Sequence, residues 1–482
     1  TYKKHEENER LFLRFGAANY RAVVFFNQHY LGIHLGGSTP FSVEVTDYLK
    51  NENRLLIVTN NTRRAENLPM ENTDWFNYGG IYRNVDLLRL PQSFIRDLKV
   101  GLEPKKNFNE IFATVKIDGI SEGVAKFEIP ELQIFEEIKI QNGVGKINVA
   151  ARPELWSPEK PKLYEVILEF ENDKVIDKIG FREIRVETQD VYLNNQKIFF
   201  KGIACHEDSV MNGKSLTDDE IRENYQLAKE MGCNYLRLAH YPHSERAAQI
   251  ADEMGILLWE EIPVYWAVQF DNPETYMDAE NQLTELINRD FNRASVVIWS
   301  VGNENADTNA RYKFMANLAD KAHELDCTRL VSAACLVNTV DLIMNDRLAE
   351  KLDVIGMNEY YGWYEPDFSR LIKVFENSKP EKPVFITEFG ADATSENHGT
   401  RDEMFTEENQ LAIYEKQIET LSKIKYIKGI SPWILHDFRC PRRLHTKQNY
   451  YNLKGLVSAD RKHKKLAFYA MRKFYQNLQE EL

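Results

Sequence analysis

The sequence predicts a multidomain protein in which two β-sandwiches precede a (β/α)8 barrel. Up to about residue 187 the chain shows short alternating strand patterns and no sustained helical period. After that point, apolar strand-like runs alternate with amphipathic helical stretches, which is typical of a parallel barrel. Polar residues gather directly after the apolar runs, at the strand ends where such barrels hold their active sites. We therefore expect the chemistry in the last part of the chain.

The composition argues against several classes of partner. The 482 residues are too many for one ordinary domain, and a hydrophobic fraction of 43% supports sizeable cores. With 61 Lys and Arg against 74 Asp and Glu, the formal charge is −13, and no long basic block occurs. We therefore expect neither nucleic acid nor a membrane as a partner. The five cysteines lack a Cys-x-x-Cys spacing and cannot all pair, which favours reduced thiols over a disulfide framework.

The first predicted domain, residues 1–91, is a jelly-roll-like β-sandwich. Its strands are predicted at Leu11–Phe15, Ala22–Phe26 and Leu55–Thr59, where apolar residues are bounded by turn residues. The opening segment Thr1–Arg10 is polar. We therefore expect the first strands of this sandwich to be missing from the sequence, so that the domain is N-terminally incomplete.

A loop rich in aromatic residues and glycine begins at Asp74 in the first predicted domain. Most of its residues fit a packed loop that fixes one domain on the next. Asp74 is different, because a carboxylate on an aromatic loop is a common acceptor for sugar hydroxyl groups. We predict Asp74 to be a substrate-binding residue.

The second predicted domain, residues 92–187, is an immunoglobulin-like β-sandwich. Alternating patterns at Ile111–Ile117 and Tyr164–Phe170 predict two of its strands, and its length suits this class of domain. Nothing in the segment indicates chemistry, so we interpret it as a spacer.

The remaining residues, 188–482, are predicted to form the barrel. Asn194-Asn195 predicts a hairpin turn just before the pattern changes. Helical stretches include Asp218–Met231, Ser244–Met254, Tyr276–Asn292, Ala310–Glu324 and Glu407–Ile424. The eight predicted strands are Ile198–Ile203, Cys233–Leu238, Ile256–Trp259, Val296–Ser300, Leu330–Ala334, Val354–Met357, Val384–Thr387 and Gly429–Trp433.

Two of the predicted barrel strands lead into a glutamate. Val296–Ser300 is followed by Glu304, and Val384–Thr387 is followed by Glu388. Cleavage of a glycosidic bond needs one carboxyl group to protonate the leaving oxygen and a second to attack the anomeric carbon. Strand ends that face each other across a barrel mouth can supply both groups, so we predict this pair to be catalytic. Either glutamate alone could equally be a strand-end carboxylate in an ion pair.

Polar clusters follow seven of the strands, and three of them contain histidine. His206, His240 and His436 could be core histidines or metal ligands, but they follow different strands without a local His-x-x-x-His spacing. We therefore predict no metal site. We place His206 and Trp433 in a sugar pocket, because carbohydrate sites combine polar groups with an aromatic face.

Several of these segments together resemble glycoside hydrolase family 2. The resemblance extends along nearly the whole chain and includes the order of jelly roll, immunoglobulin-like domain and barrel. Within that family, Asn358–Tyr364 and Asn452-Leu453-Lys454 resemble the β-glucuronidases of gut bacteria. The segments that carry the family resemblance are Gly202–Asp208, Arg237–Pro242, Trp299–Glu304 and Ile386–Gly390.

The resemblance implies a retaining exo-β-D-glucuronidase that needs no cofactor. It implies that Glu304 is the acid/base, Glu388 the nucleophile and Asn303 the donor to the sugar 2-hydroxyl. Asn452 and Lys454 would hold the glucuronate carboxylate, since an amide and an ammonium two residues apart can both donate to one anion. The further substrate-binding residues that it implies are Asn358, Tyr360 and Tyr364.

The resemblance also implies a homo-oligomer in the bacterial cytoplasm that acts on a small-molecule or oligosaccharide glucuronide. A β-galacturonidase or a β-galactosidase is the alternative, followed by a non-catalytic carbohydrate-binding protein. The connection from Ile262 to Tyr276 is short, so we expect an open site that tolerates bulky aglycones. The segment Arg439–Asn449 does not align with the arginine that family members bring toward the carboxylate, so the residue with that role stays open.

Overall fold

The structure is a computed structural model that describes residues 9–481, with side chains described as far as residue 478. The chain divides into two compact units. Unit 1 holds the residues up to Thr62, Gly79–Glu183 and Asn288–Ala294, and unit 2 holds Arg63–Tyr78, Ile184–Ile287 and the residues from Ser295 onward. The expectation for Thr1–Arg10 falls almost entirely outside the described residues. The predicted domain boundaries at residues 91 and 187 stay predictions.

The described part of unit 1 consists of antiparallel strands. Their alternating burial reflects the period of two that the sequence shows; in β10 every second residue is buried. The strands are β1 (Glu9–Phe15), β2 (Ala18–Asn19), β3 (Arg21–Phe26), β4 (His29–Leu35), β5 (Phe41–Glu44), β6 (Leu55–Asn60), β7 (Gly80–Ile81), β8 (Val85–Pro91), β9 (Phe94–Leu102), β10 (Glu110–Asp118), β11 (Glu122–Ile129), β12 (Ile134–Gln141), β13 (Val144–Ala150), β14 (Tyr164–Phe170) and β15 (Asp173–Ile179).

The sheets of unit 1 enclose two apolar cores. Two three-stranded sheets, β5-β1-β8 and β4-β3-β6, share a core that includes Phe15 and Val24. The seven later strands are hydrogen-bonded in the order β15-β14-β11-β12-β13-β10-β9 around a second core that includes Phe127 and Leu168. The predicted β-sandwich class of the first part of the chain is confirmed.

Unit 2 contains the predicted barrel. Eight parallel strands close in chain order, and every residue of β22 is buried, as expected for a strand covered on both faces. A small antiparallel sheet precedes the barrel: β16 (Ile184–Glu187), β17 (Asp190–Leu193) and β18 (Gln196–Lys197). The barrel strands are β19 (Phe200–Cys205), β20 (Tyr235–Leu238), β21 (Leu257–Glu261), β22 (Val296–Asn303), β23 (Leu330–Leu336), β24 (Ile355–Asn358), β25 (Val384–Glu388) and β26 (Ile427–Ile430), followed by the short pair β27 (Phe438–Arg439) and β28 (Tyr451–Asn452).

Local sequence signals explain the helix boundaries in unit 2. Thr217 and Glu220 form a capping box at the start of α1, and Gly232 ends that helix in the left-handed conformation. A short 3-10 helix, Arg347–Lys351, takes the place of an α-helix between β23 and β24. The helices are α1 (Asp218–Met231), α2 (Glu245–Met254), α3 (Pro273–Asp290), α4 (Asn309–Leu325), α5 (Phe368–Asn377), α6 (Glu407–Leu421) and α7 (Leu466–Glu481).

Two details at strand ends complete the comparison with the sequence. Asn194 and Asn195 both have positive φ in the two-residue turn between β17 and β18, which confirms the predicted hairpin. The eighth barrel strand ends at Ile430, earlier than the predicted Trp433, because Pro432 has no N–H for a strand ladder. No helix among the described residues is long and apolar enough to cross a membrane.

Candidate active site

Both predicted catalytic glutamates line one cavity of about 210 Å³ at the carboxyl end of the barrel. Glu388 is the last residue of β25, and Glu304 directly follows β22, so the parallel strands deliver both to the same mouth. All the lining residues belong to unit 2. They are Asp74, His240, Tyr265, Trp266, Glu304, Tyr360, Tyr364, Glu388, Trp433, Arg443, Asn452 and Lys454.

Among residues 9–481, the side chain of Glu304 has only neutral hydrogen-bond donors as direct partners. Asn358 Nδ2 donates to its Oε1 at 2.9 Å, and Trp266 Nε1 donates to its Oε2 at 2.7 Å. Burial, reinforced by the charge of nearby Glu388, raises the pKa of Glu304 to about 7. The backbone of Glu304 has φ +53°, a strained conformation for a residue with a side chain and one that clusters at functional sites. The geometry suits a proton donor.

Glu388 is held by a cation and a phenol. Arg237 Nη1 donates to its Oε1 at 2.7 Å, and the Tyr360 hydroxyl donates to its Oε2 at 2.7 Å. Burial raises the pKa of Tyr360 well above its ordinary value, so the phenol keeps the proton that it donates. These donors stabilise a carboxylate and fix its orientation, which suits a nucleophile.

Arg237 is the centre of a buried network behind this carboxylate. Its guanidinium binds Glu261 through two hydrogen bonds of 3.0 Å, and it donates to Asn303 Oδ1 at 2.7 Å. His240 Nδ1 lies 2.7 Å from the same Glu261 carboxylate. Arg237 is fully buried and was not among the predicted site residues. Its sequence signal was a lone cation inside an apolar strand.

Asn303 and Asn358 do not line the cavity but connect its parts. Asn358 Nδ2 also donates to Asn303 Oδ1 at 3.2 Å, while its own Oδ1 accepts from Thr387 Oγ1 at 2.6 Å. Asn303 Nδ2 is buried and has no hydrogen-bond partner among residues 9–481. An unsatisfied buried donor costs about 1–3 kcal/mol. A sugar hydroxyl beside the two glutamates would relieve that cost.

Elsewhere in the lining, two cations converge on one hydroxyl. Lys454 Nζ donates to the Tyr364 hydroxyl at 3.0 Å, and Arg443 Nη1 donates to the same oxygen at 3.2 Å. Lys454 also lies 3.2 Å from buried Asp392. Burial opposes the charge of the ammonium, but Asp392 and Tyr364 together outweigh that effect, so the pKa of Lys454 is raised. Donors that converge in this way can bind an anion.

Asp74 lines the cavity, and its carboxylate orients the guanidinium of Arg443. Arg443 Nη2 donates to Asp74 Oδ2, and Asn452 Nδ2 donates to the same oxygen at 3.2 Å. Asn452 Oδ1 in turn accepts from the backbone N–H of Lys454 at 3.1 Å. Arg443 lies within the basic segment whose role the sequence left open, and its position here could not be read from that segment's spacing.

The structure separates the two aromatic residues predicted for the sugar pocket. Trp433 lines the cavity and stacks on His240, with ring centroids 4.7 Å apart at 18°. His206 is not among the residues that line the cavity, and its role in binding sugar stays a prediction. Its Nδ1 lies 3.1 Å from the Tyr241 hydroxyl, and its ring meets Trp433 edge-on at 5.2 Å. Among residues 9–481, no group of three or more His, Cys, Asp or Glu side chains could hold a metal ion.

A carboxyl group with a raised pKa and a second one paired with arginine, together at the mouth of a (β/α)8 barrel, are typical of a glycosidase. Comparison with family models also identifies a glycosidase. The TIM barrel domain of glycosyl hydrolases family 2 matches residues 184–480, the sugar binding domain of that family matches residues 2–91, and a third model of the family matches residues 94–182. The chain belongs to glycoside hydrolase family 2.

Individual similar proteins carry names that specify an activity within this family. A putative β-glucuronidase of Formosa agariphila is 28% identical over 97% of this chain, which spans 62% of that protein. A β-glucuronidase of Streptococcus agalactiae is 28% identical over 96% of this chain and 85% of its own length. Among solved structures, a β-galacturonidase from Eisenbergiella tayi bound to galacturonate superposes with a TM-score of 0.89 at 26% identity, covering 98% of this chain and 88% of that chain.

Proposed function

We propose that this chain is a retaining exo-β-D-glucuronidase. The observation that carries the proposal is the pair of cations, Lys454 and Arg443, in the cavity that holds both glutamates. Ammonium and guanidinium groups give a carboxylate charge-assisted hydrogen bonds, whereas a neutral sugar would gain little from them. The names of the two relatives support a uronic acid, and the small cavity suits one terminal sugar.

The proposed mechanism assigns one role to each glutamate. Glu304 protonates the leaving oxygen while Glu388 attacks the anomeric carbon and forms a covalent glycosyl-enzyme. Glu304 then takes a proton from water, which releases glucuronate with retained configuration. Arg237 and Tyr360 orient Glu388 through their hydrogen bonds. Asn303 Nδ2 is proposed to donate to the sugar 2-hydroxyl.

A β-galacturonidase is the second candidate, because the Eisenbergiella tayi protein has that activity by name and a closely similar fold. Both sugars carry the carboxylate that Lys454 and Arg443 would bind, and they differ in the orientation of the 4-hydroxyl. A β-galactosidase is disfavoured by the two cations. The expectations of a homo-oligomer, of a bacterial cytoplasmic location and of tolerance toward bulky aglycones remain predictions.

The test is a panel of aryl β-glucuronide, β-galacturonide and β-galactoside, assayed with the wild type and with Lys454→Met. For the preferred uronide, kcat/KM should fall by roughly 10²–10³ in the variant, because the bound carboxylate loses its counter-charge. Since Lys454→Met also leaves Asp392 without its cation, the double variant Lys454→Met with Asp392→Asn is the matched control. It should restore folding stability but not uronide hydrolysis. A wild type that prefers the galactoside would reject the proposal.

A further inference from the structure

Arg442 packs on Trp266, the indole that donates a hydrogen bond to the proposed acid/base Glu304. Trp266 Nε1 donates to Glu304 Oε2 at 2.7 Å, and the Arg442 guanidinium carbon lies 4.9 Å from the centre of the Trp266 ring. The leaving oxygen must approach Glu304 to receive its proton. Whatever is attached to that oxygen therefore comes close to Trp266 and to Arg442.

The charge of Arg442 is not balanced, in contrast to that of its neighbour. Arg443 is paired with Asp74. Arg442 donates to the neutral amide oxygen of Asn72, and no carboxylate in the described part of the chain lies within 4.0 Å of it. Arg442 is exposed, and a guanidinium carries five N–H donors, so donors remain for a ligand.

The Trp266 ring offers little open surface to a flat apolar leaving group. Tyr265 stacks on it with ring centroids 4.5 Å apart at 28°, and Arg442 lies over the ring as well. A leaving group at this position therefore meets a guanidinium supported by an aromatic ring. Such a cation binds oxyanions well, because its donors are held in a fixed fork that matches two anion oxygens.

We propose that Arg442 forms a leaving-group subsite that selects glucuronides whose aglycone carries an anion, a carboxylate or a sulfate ester, as in an acidic oligosaccharide. The inference rests on the proposed glucuronidase activity and names its substrate class. Arg442 would bind the leaving group, whereas Lys454 and Arg443 would bind the carboxylate of the glucuronate.

Three substrates that differ in one substituent test the subsite: the β-glucuronides of 3-carboxyphenol, 3-sulfooxyphenol and 3-carbamoylphenol. The wild type should favour the two anionic substrates over the carbamoyl substrate in kcat/KM. Arg442→Gln should lower each anionic-to-neutral ratio by roughly two- to fivefold, which is the upper part of the range measured for exposed ion pairs. Added salt should lower the wild-type ratio as well, because exposed charges are screened. Comparing the carboxyl with the sulfooxy arm identifies the preferred anion.

Lys447→Ala is the matched control, because it removes one exposed cation from the same segment. It should leave the ratio unchanged. An equal fall of the anionic-to-neutral ratio in both variants would show that the effect comes from the overall positive charge of the segment. That outcome would overturn the subsite. A wild type that hydrolyses all three substrates equally well also overturns the subsite but leaves the proposed function intact. A wild type that hydrolyses none of them rejects the proposed function and the subsite together.

Discussion

The ends of β22 and β25 carry the same residue type at the same mouth, yet their surroundings differ. Glu388 receives hydrogen bonds from a buried arginine and a phenol, whereas Glu304 receives them from an amide and an indole. Glu388 is buried, Glu304 is partly exposed, and both line the same cavity. The hydrogen-bond partners of each carboxyl group, and not its burial alone, therefore distinguish the proposed acid from the proposed nucleophile.

The largest effect is expected when the proposed nucleophile is removed. Glu388→Ala should lower turnover of an aryl glucuronide by at least ~10⁴-fold, because no covalent intermediate can form. Circular dichroism should report an intact fold. Azide added to this variant should occupy the vacated space and give the α-glycosyl azide, identified by NMR. A variant that keeps substantial turnover would contradict the assignment.

Removal of the proposed acid/base should have an effect that depends on the leaving group. Glu304→Ala should lower kcat/KM by roughly 10²–10⁴ for a poor leaving group, which needs a proton, and by much less for dinitrophenol. Azide should rescue this variant with the β-glycosyl azide as product, since it attacks the intact glycosyl-enzyme. Equal losses for both leaving groups, or an α-azide, would reverse the two roles.

A third buried glutamate tests the comparison away from the cavity lining. Glu359 accepts from the Tyr361 N–H at 2.9 Å and from Gln417 Nε2 at 3.0 Å, both neutral donors, and burial raises its pKa to about 8. Its folded-state pKa exceeds the unfolded value of about 4.3, so the unfolded chain loses this proton first and stability falls as pH rises through that window. Glu359→Gln lacks this loss.

The stability gained by Glu359→Gln should therefore grow between pH 5 and pH 8, by at most ~1.4 kcal/mol per pH unit, and level off above pH 8. Thermal unfolding of both proteins across this range measures it. Glu419→Gln on α6 is the control, because Glu419 is exposed and pairs with Lys423. A gain that does not depend on pH would show that Glu359 is not held in its protonated form.

The smallest effect concerns the coupling between the two proposed catalytic groups. Glu388→Gln removes a neighbouring negative charge and should lower the pKa of Glu304 from about 7 by roughly one unit, with the remaining elevation due to burial. Carbon-13 NMR of labelled glutamate measures this titration. In the wild type, kcat/KM should decline above about pH 7 as Glu304 loses its proton. An unchanged Glu304 titration in the variant would mean that burial, and not the charge of Glu388, raises the pKa of Glu304.

The strands of the barrel could be predicted from the sequence, because each strand is marked by a local pattern of consecutive residues. All eight strands were predicted within a few residues, since each is an apolar run that stops at a polar residue. The helix Asp218–Met231 was predicted with its observed bounds, because its apolar residues have helical spacing after an acidic start. The same logic placed Glu304 and Glu388 at one mouth, since parallel strands share a carboxyl end.

The sequence by itself determined the fold class and the positions of Glu304 and Glu388 at strand ends, because periodicity and strand ends can be recognised from consecutive residues. Only the tertiary structure decided that Arg443 meets Asp74, that Arg237 supports Glu388, and that His206 lies outside the cavity. These contacts join loops or strands that are far apart in the chain, where no period links one residue to another. Their geometry is fixed by packing and charge compensation in three dimensions, which a linear pattern does not encode.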